Sequence, residues 1–369
     1  MTKATITVKE GTQGRRGPRA VVPRAALVIS LDFELHWGVR DIHTVAQCRD
    51  RLLGGRQAVP AMLRLFERFD VHATWATVGF LFFASKRELL DALPARTPAY
   101  DRRRLSPYLD LESLGESERD DPFHFAPSLI RRIAETPRQE IGTHTLSHYY
   151  CLEAGQSPAD FREDLAVAQR MVRSTVGRSL ASIVFPRNQV GPAYVEVCGD
   201  LGLIAYRGNP RSWAYRARSV EQELLLRRGL RLADAYAPVA GRHSRAWSVG
   251  AAPLPIDIPA SRYLRPYAAR LRHLEPLRLR RIEAELRYAA EHGQIYHLWW
   301  HPEDFGTHLV ENLSVLERIL TCFAGLREAH GMRSLTMEEA AREAISLSRQ
   351  HASSNREDER CASSGEVRR

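Results

Sequence analysis

Residues 25–34 read Ala25-Ala26-Leu27-Val28-Ile29-Ser30-Leu31-Asp32-Phe33-Glu34. The first seven form a near-continuous apolar run, which suits a strand buried on both faces of a parallel sheet. The run empties into two acids, two residues apart, which share a face on regular extended chain. Working outward, short β-capable runs recur at 71–77, 140–143, 182–185, 203–206 and 294–300. Helical periodicity falls between them. Val59, Met62, Leu63 and Phe66 line one face after Gly54-Gly55, and Phe161, Leu165, Ala168, Met171 and Val172 line another. Further helices are expected near 83–92, 128–135, 193–201, 275–292, 311–329 and 336–348. Strands alternating with helices imply parallel pairing through crossovers. The expected fold is therefore α/β: a single (β/α) barrel over 25–349, incomplete and seven-stranded. Residues 1–24 read as a disordered basic arm and 350–369 as a disordered polar tail. The stretch 94–126, rich in Pro, Arg, Asp and Ser, reads as a long surface insertion, and 210–255 has no clear pattern beyond an extended loop around Ile256-Asp257-Ile258.

In such barrels chemistry collects where the strands' C-terminal ends meet. Reading those ends in order gives Asp32 and Glu34, then His144 and His148, then Arg187, then His301. If the chain turns helically after Thr143, His144 and His148 lie on one face, and two neutral imidazoles reach the same divalent ion. Alone, a His-x-x-x-His pair is a weak motif. Each residue also has a plainer role. The two acids suit a loop cap, Arg187 suits a surface ion pair, and His301 suits packing between Trp300 and Pro302. Their joint occurrence favours a site: two imidazoles and a carboxylate on a metal, a second carboxylate as base, a histidine as acid, and an arginine fixing a carboxylate. His36 is a candidate to line the pocket, whereas His297 sits within the strand and points elsewhere.

The chain has 369 residues, 44% of them hydrophobic, which is enough for a sizeable core. The net charge is +9 and almost all of the positive charge is arginine, since the only lysines are Lys3, Lys9 and Lys86. A basic balance admits nucleic acid or an anionic substrate. The arginines are scattered rather than gathered in a stripe, which reads as a coding bias, and nucleic-acid binding is not expected. Five cysteines without paired spacing argue against a disulfide framework or a cysteine-based zinc site, and a reducing, cytoplasmic setting fits them. The first 23 residues have no apolar core of a signal or anchor, and no apolar run has the length of a membrane span.

These residues, in this order, resemble the polysaccharide deacetylase family (NodB homology, carbohydrate esterase family 4). The family's His-Thr/Ser-x-x-His metal motif is matched by His144-Thr145-Leu146-Ser147-His148. Its opening Asp-Asp is replaced here by Asp32-Phe33-Glu34, similar to an Asp-x-Asp/Glu variant in atypical branches. The resemblance implies Asp32 as base, Glu34, His144 and His148 as ligands of Zn²⁺ or another divalent ion, and His301 of Leu298-Trp299-Trp300-His301 as acid. It also implies Arg187 of Phe185-Pro186-Arg187-Asn188-Gln189 as the brace of the base, with Asp257 a weak candidate for the acid that tunes the histidine. Removal of acetyl groups from N-acetylated sugars follows, with a carbohydrate substrate and the polysaccharide-synthesis machinery as a partner. Trp37, Tyr149, Trp299 and Trp300 are candidate stacking faces for a sugar ring. Two rivals stand beside this reading: amide or imide hydrolysis of a small cyclic substrate on the same scaffold, and a non-catalytic glycan-binding barrel.

Overall fold

The structure, a computed structural model, describes residues 23–248 and 253–365. Nearly all of the basic arm, residues 1–22, and the end of the tail, 366–369, lie outside the described residues.

Among the described residues nine strands form one sheet: β1 (Ala26–Phe33), β2 (Ala73–Thr77), β3 (Gln139–Thr143), β4 (Ser182–Ile183), β5 (Ala205–Tyr206), β6 (Ile256–Asp257), β7 (Arg262–Tyr263), β8 (Ile295–Trp300) and β9 (Arg333–Leu335). Their order is β6-β5-β4-β3-β2-β1-β8-β7, with β9 on β1, and every pairing is parallel. All eight residues of β1 are buried, as its unbroken apolar run requires of a central strand. The ends of the path, β6 and β7, do not pair with each other. Only residues 258–261 separate them in sequence, and this short segment crosses the gap. Ala260 N donates to Gly208 O beyond β5 (2.9 Å), while Ser261 N donates to His297 O in β8 (2.8 Å). The sheet is thus curled into an incomplete (β/α) barrel, with nine strands rather than the seven expected. The strands that sequence reading lacked are β6, β7 and β9, of only two or three residues each. That is too short for alternation to register.

Among the described residues nine α-helices surround the sheet: α1 (Val45–Phe69), α2 (Lys86–Asp91), α3 (Pro127–Glu135), α4 (Pro158–Val176), α5 (Pro192–Asp200), α6 (Leu225–Asp234), α7 (Glu275–Glu291), α8 (Leu309–His330) and α9 (Met337–Gly365). The apolar faces expected on α1 and α4 are buried. Helix α1 begins well before Gly54-Gly55, capped by Thr44, whose N–H is taken by Gln47 Oε1. The glycine pair lies inside it. A Cβ on Gly54 would meet Gly306 O at 2.3 Å, and one on Gly55 would meet Glu303 Cα at 2.5 Å. The glycines therefore let the helix backbone touch the segment that carries Glu303 and Asp304. The 94–126 insertion is more than surface: Tyr100, Leu105, Leu111, Leu114 and Phe125 are buried. Helix α9 continues through the tail to Gly365, past the boundary at 349. No helix among the described residues is long and apolar enough to cross a membrane.

Candidate active site

Strand β1 carries Asp32 and delivers Glu34 just past its end. The chain then turns sharply, with Leu35 at φ 48°. Glu34 N and Leu35 N both donate to Glu303 Oε1, the first at 3.0 Å. Gly38 lies in the same turn, where a Cβ would sit 1.7 Å from Glu34 Oε2. The carboxylate occupies the space that any larger residue would fill.

His144 and His148 leave the end of β3 on a loop, not on a helix. Thr145 and His148 both have left-handed backbone, φ 64° and 58°, which breaks the helical turn that would have stacked the two rings. The loop is held by side chains instead. Thr145 N donates to Thr143 Oγ1 (3.0 Å) and Tyr149 N to Thr145 Oγ1 (2.7 Å). Leu146 N and Ser147 N donate to the buried Asp164 carboxylate of α4 at 2.7 and 3.2 Å. Burial pushes Asp164 up to about 6 even though these donors favour its charged form.

The two rings converge on one oxygen. His144 Nε2 is 2.8 Å and His148 Nε2 3.1 Å from Glu34 Oε1. His144 Nδ1 donates to Val184 O at 2.8 Å, so in the neutral ring Nε2 is a bare lone pair. Burial holds the His148 pKa below its ordinary value despite Glu34. Glu34 itself is pushed up by burial, yet His148 and His301 outweigh this and hold it well below the carboxylate range. Two imidazole nitrogens thus converge on one carboxylate oxygen inside hydrogen-bond distance, with His148 Nδ1 against the Tyr150 hydroxyl at 3.1 Å, and this is the donor arrangement of a divalent-ion site. The donor atoms of Glu34, His144 and His148 lie within 4.8 Å of one another, and all three residues are buried. The donor set therefore fits a divalent ion. A second set, Asp32, Glu34 and His301, meets the same distance limit and shares Glu34.

The brace of Asp32 is Arg207, not Arg187. Both guanidinium nitrogens of Arg207 donate to the Asp32 carboxylate at 2.6 Å, and Nη1 and Nη2 also reach Ser30 Oγ (2.9 Å) and Asn188 Oδ1 (3.0 Å). Arg207 is wholly buried, with its guanidinium 4.2 Å above the Trp299 ring. Arg187 instead pairs with Asp41 at 2.6 Å and lies 4.3 Å over Tyr150. Its backbone is left-handed, φ 53°, and its side chain lines the cavity over Glu34 without bonding Asp32. Of the Phe-Pro-Arg-Asn-Gln stretch, it is Asn188 that touches the brace. Asp257 does not reach His301; it lies against Gly208, and burial raises it to about 6. The acid on His301 is Asp304, at 2.9 Å from Nδ1.

His301 Nε2 faces Glu34 Oε1 at 3.8 Å and Asp32 Oδ2 at 3.9 Å. Burial lowers its pKa, but Glu34, Asp304 and Asp32 together raise it to about 10. Glu303, behind Glu34, is pushed up to about 8 by burial and by the Glu34 charge. A cavity of about 300 Å³ opens over these groups, lined among others by Asp32, Glu34, His148, Trp299 and His301. Trp37, Tyr149 and Trp300, expected as stacking faces, are core residues, and only Trp299 lines the cavity. His36 is buried against His124 (2.8 Å) and His43 O (2.9 Å), away from the cavity. His297 points into the sheet, onto Ser30 Oγ and Ile258 O. The residues that sequence reasoning missed are Arg207, Glu303 and Asp304. Arg207 stands one residue after β5, so the strand-end rule applied to a two-residue strand would have found it.

A family model described as polysaccharide deacetylase matches residues 40–206. Comparison with curated protein sequences finds no match. Among solved structures, a Mycobacterium smegmatis protein assigned as a polysaccharide deacetylase aligns at 13% identity over 90% of this chain and 94% of its own, with a TM-score of 0.54. An allantoinase, Puue, aligns at 12% identity over 91% of this chain and 97% of its own, with a TM-score of 0.51. At these identities the likeness is one of fold.

Proposed function

We propose, from the premise that this chain belongs to the polysaccharide deacetylase family, that it is a metal-dependent hydrolase removing acetyl groups from N-acetylated sugars of a polysaccharide or its precursor. The observation that carries the reading is the convergence of His144 Nε2 and His148 Nε2 on Glu34 Oε1, a buried donor set of two imidazole nitrogens and one carboxylate oxygen that suits a divalent ion. A divalent ion such as Zn²⁺ on these three residues would, when bound, lower the pKa of a water toward neutrality and polarise the acyl carbonyl. Asp32 is the base. Its rotamer is fixed by the two-pronged Arg207 pair, and it faces the same cavity as Glu34. His301 is the acid: the surrounding carboxylates keep its protonated form favoured at neutral pH, so it has a proton for the departing sugar nitrogen. Asp304 orients the ring through Nδ1. Trp299 offers the cavity an aromatic face for a sugar ring.

The decisive experiment is acetate release from a panel of N-acetylated saccharides by protein of measured metal content. Asp32→Asn is expected to retain the ion and lose about 10²–10⁴-fold in turnover. Full activity in that variant would remove Asp32 as base. Because an allantoinase shares the fold, ring opening of cyclic amides and imides belongs in the same assay. Turnover there without acetate release would replace the deacetylase reading. A metal-free protein that binds glycan without turning it over would favour the non-catalytic barrel.

A further inference from the structure

A second cavity, of about 310 Å³, adjoins the one over Asp32 and Glu34 and shares Arg187, Asn188, Tyr263 and Trp299 with it. Its far side is lined by Arg216, Arg218, Arg231, Arg262 and Arg265, with Glu223 the one carboxylate in the lining. Some of this charge is spent internally. Arg262 holds Glu285 with two nitrogens at 2.7 Å, and Arg231 pairs with Glu223. Arg216, Arg218 and Arg265 have no carboxylate within ion-pair distance among the described residues. Arg218 Nε is buried without a hydrogen-bond partner. Behind it Arg227 is 5% exposed, with Nε and Nη1 also unpartnered. Arginines that share a concave wall repel one another, and buried guanidinium nitrogens without acceptors are costly. Both penalties are relieved by an oxyanion supplied from outside, for which planar guanidinium forks are well suited.

We propose that the acylated sugar taken by this site carries an oxyanion, a phosphoryl or carboxylate group on the same or the neighbouring unit, which seats in the arginine-lined cavity while the acyl group lies over Asp32 and Glu34. The proposal rests on the hydrolase reading for its orientation, but binding alone tests it. Arg218 and Arg265 supply the free charge, and Arg187 and Asn188 stand at the junction of the two cavities.

The test is calorimetric titration of the full-length protein with N-acetylglucosamine 1-phosphate, with a uronic-acid-containing disaccharide, and with neutral N-acetylglucosamine. At least one anionic ligand is expected to bind about tenfold or more tighter than the neutral sugar, with the advantage shrinking as salt is raised. Which anionic ligand binds better identifies the source of the oxyanion. In the Arg218→Ala/Arg265→Ala double variant the ratio of anionic to neutral affinity is expected to fall toward one. Using a ratio within each protein cancels any general loss of folded molecules, and the salt series in the unaltered protein stands even if the variant fails to fold. Equal affinity for neutral and anionic sugars, or a ratio untouched by the substitutions, would overturn the proposal. Acetate release from neutral glycans with no such preference sinks the arginine cavity alone. Arginine-dependent binding of an anionic sugar that is never deacetylated sinks the hydrolase reading alone.

Discussion

The opening of the barrel has two unlike walls. One is built from the ends of β1 and β3, strands of eight and five residues, and carries Glu34, His144 and His148, all buried. Their positions are fixed several times over, by Glu303 and the space at Gly38 on one side, and by Val184 O and the Asp164-braced loop on the other. The other wall lies between Asn209 and Arg265, on loops, helix α6 and strands of two residues, and presents Arg216, Arg218 and Arg265, which have no carboxylate within ion-pair distance among the described residues. The difference separates two tasks. Groups that must meet at one point are held by burial and by bonds that leave them no alternative. Groups that wait for a partner keep their charge and their freedom, and so they sit where the sheet is weakest.

The comparison can be broken most forcefully on the first wall. His144→Ala removes one of two imidazoles and leaves Glu34 without the nearer of them. Loss of bound metal and of activity by about 10³-fold or more is expected, read by elemental analysis and acetate release together. A variant that keeps both would mean the triad is not the centre. Next, Arg207→Ala strands a buried aspartate and is expected to cost about 3–5 kcal/mol in urea unfolding. Arg187→Ala, which removes a side chain 19% exposed where that of Arg207 is 0% exposed, should cost clearly less. Equal losses would erase the distinction drawn between the two arginines. A smaller effect is expected from Gly38→Ala. The new methyl drives Glu34 Oε2 from its place, so metal affinity should fall about 10–100-fold while stability changes by only about 1–3 kcal/mol. Unaltered metal affinity would show that the carboxylate has another rotamer open to it.

The same contrast explains what could be read from the sequence. The fold class and most helices were legible from periodicity, Asp32, Glu34 and His301 because they lie on or just after the long apolar runs of β1 and β8, and His144 and His148 from their four-residue spacing, since β3 is Gln-Glu-Ile-Gly-Thr. The helical stacking of His144 and His148 was the wrong route to the right meeting point. Short-range spacing cannot reveal left-handed turns at Thr145 and His148 that depend on Asp164, Thr143 and Gly79 elsewhere. Arg187 was favoured over Arg207 because the resemblance attached the brace to Phe185-Pro186-Arg187, although Arg207 follows the run 203–206 just as directly and β4 and β5 are both strands of two residues. Asp257 was favoured over Asp304 for want of any rule tying an acid to a histidine three residues before it. The scattered arginines looked like composition alone. Helix α6 with the loop before it and β7 with the residues after it, where sequence pattern is weakest, bring five of them to one cavity.

The least of the expected effects tests how the histidine loop is held. Asp164 has a folded-state pKa of about 6 instead of 3.8, because burial penalises its charge more than Leu146 N, Ser147 N and the Ser147 hydroxyl reward it. Between about pH 4 and 6 the unfolded chain therefore binds fewer protons at this residue than the folded chain does. By linkage the group subtracts stability as pH rises through that window, and the loss is complete above about 6. Two units correspond to about 3 kcal/mol in all, of which about 1 kcal/mol falls between pH 5 and 7. Asparagine at this position keeps an acceptor for one loop N–H and does not titrate. In metal-free protein, the stability of Asp164→Asn relative to the unaltered chain should therefore improve by about 1 kcal/mol from pH 5 to pH 7, measured by urea unfolding at both. A difference that is flat with pH would mean that Asp164 is charged at little cost. The loop's anchorage would then be ordinary hydrogen bonding, and not a buried acid kept in place at the expense of the fold.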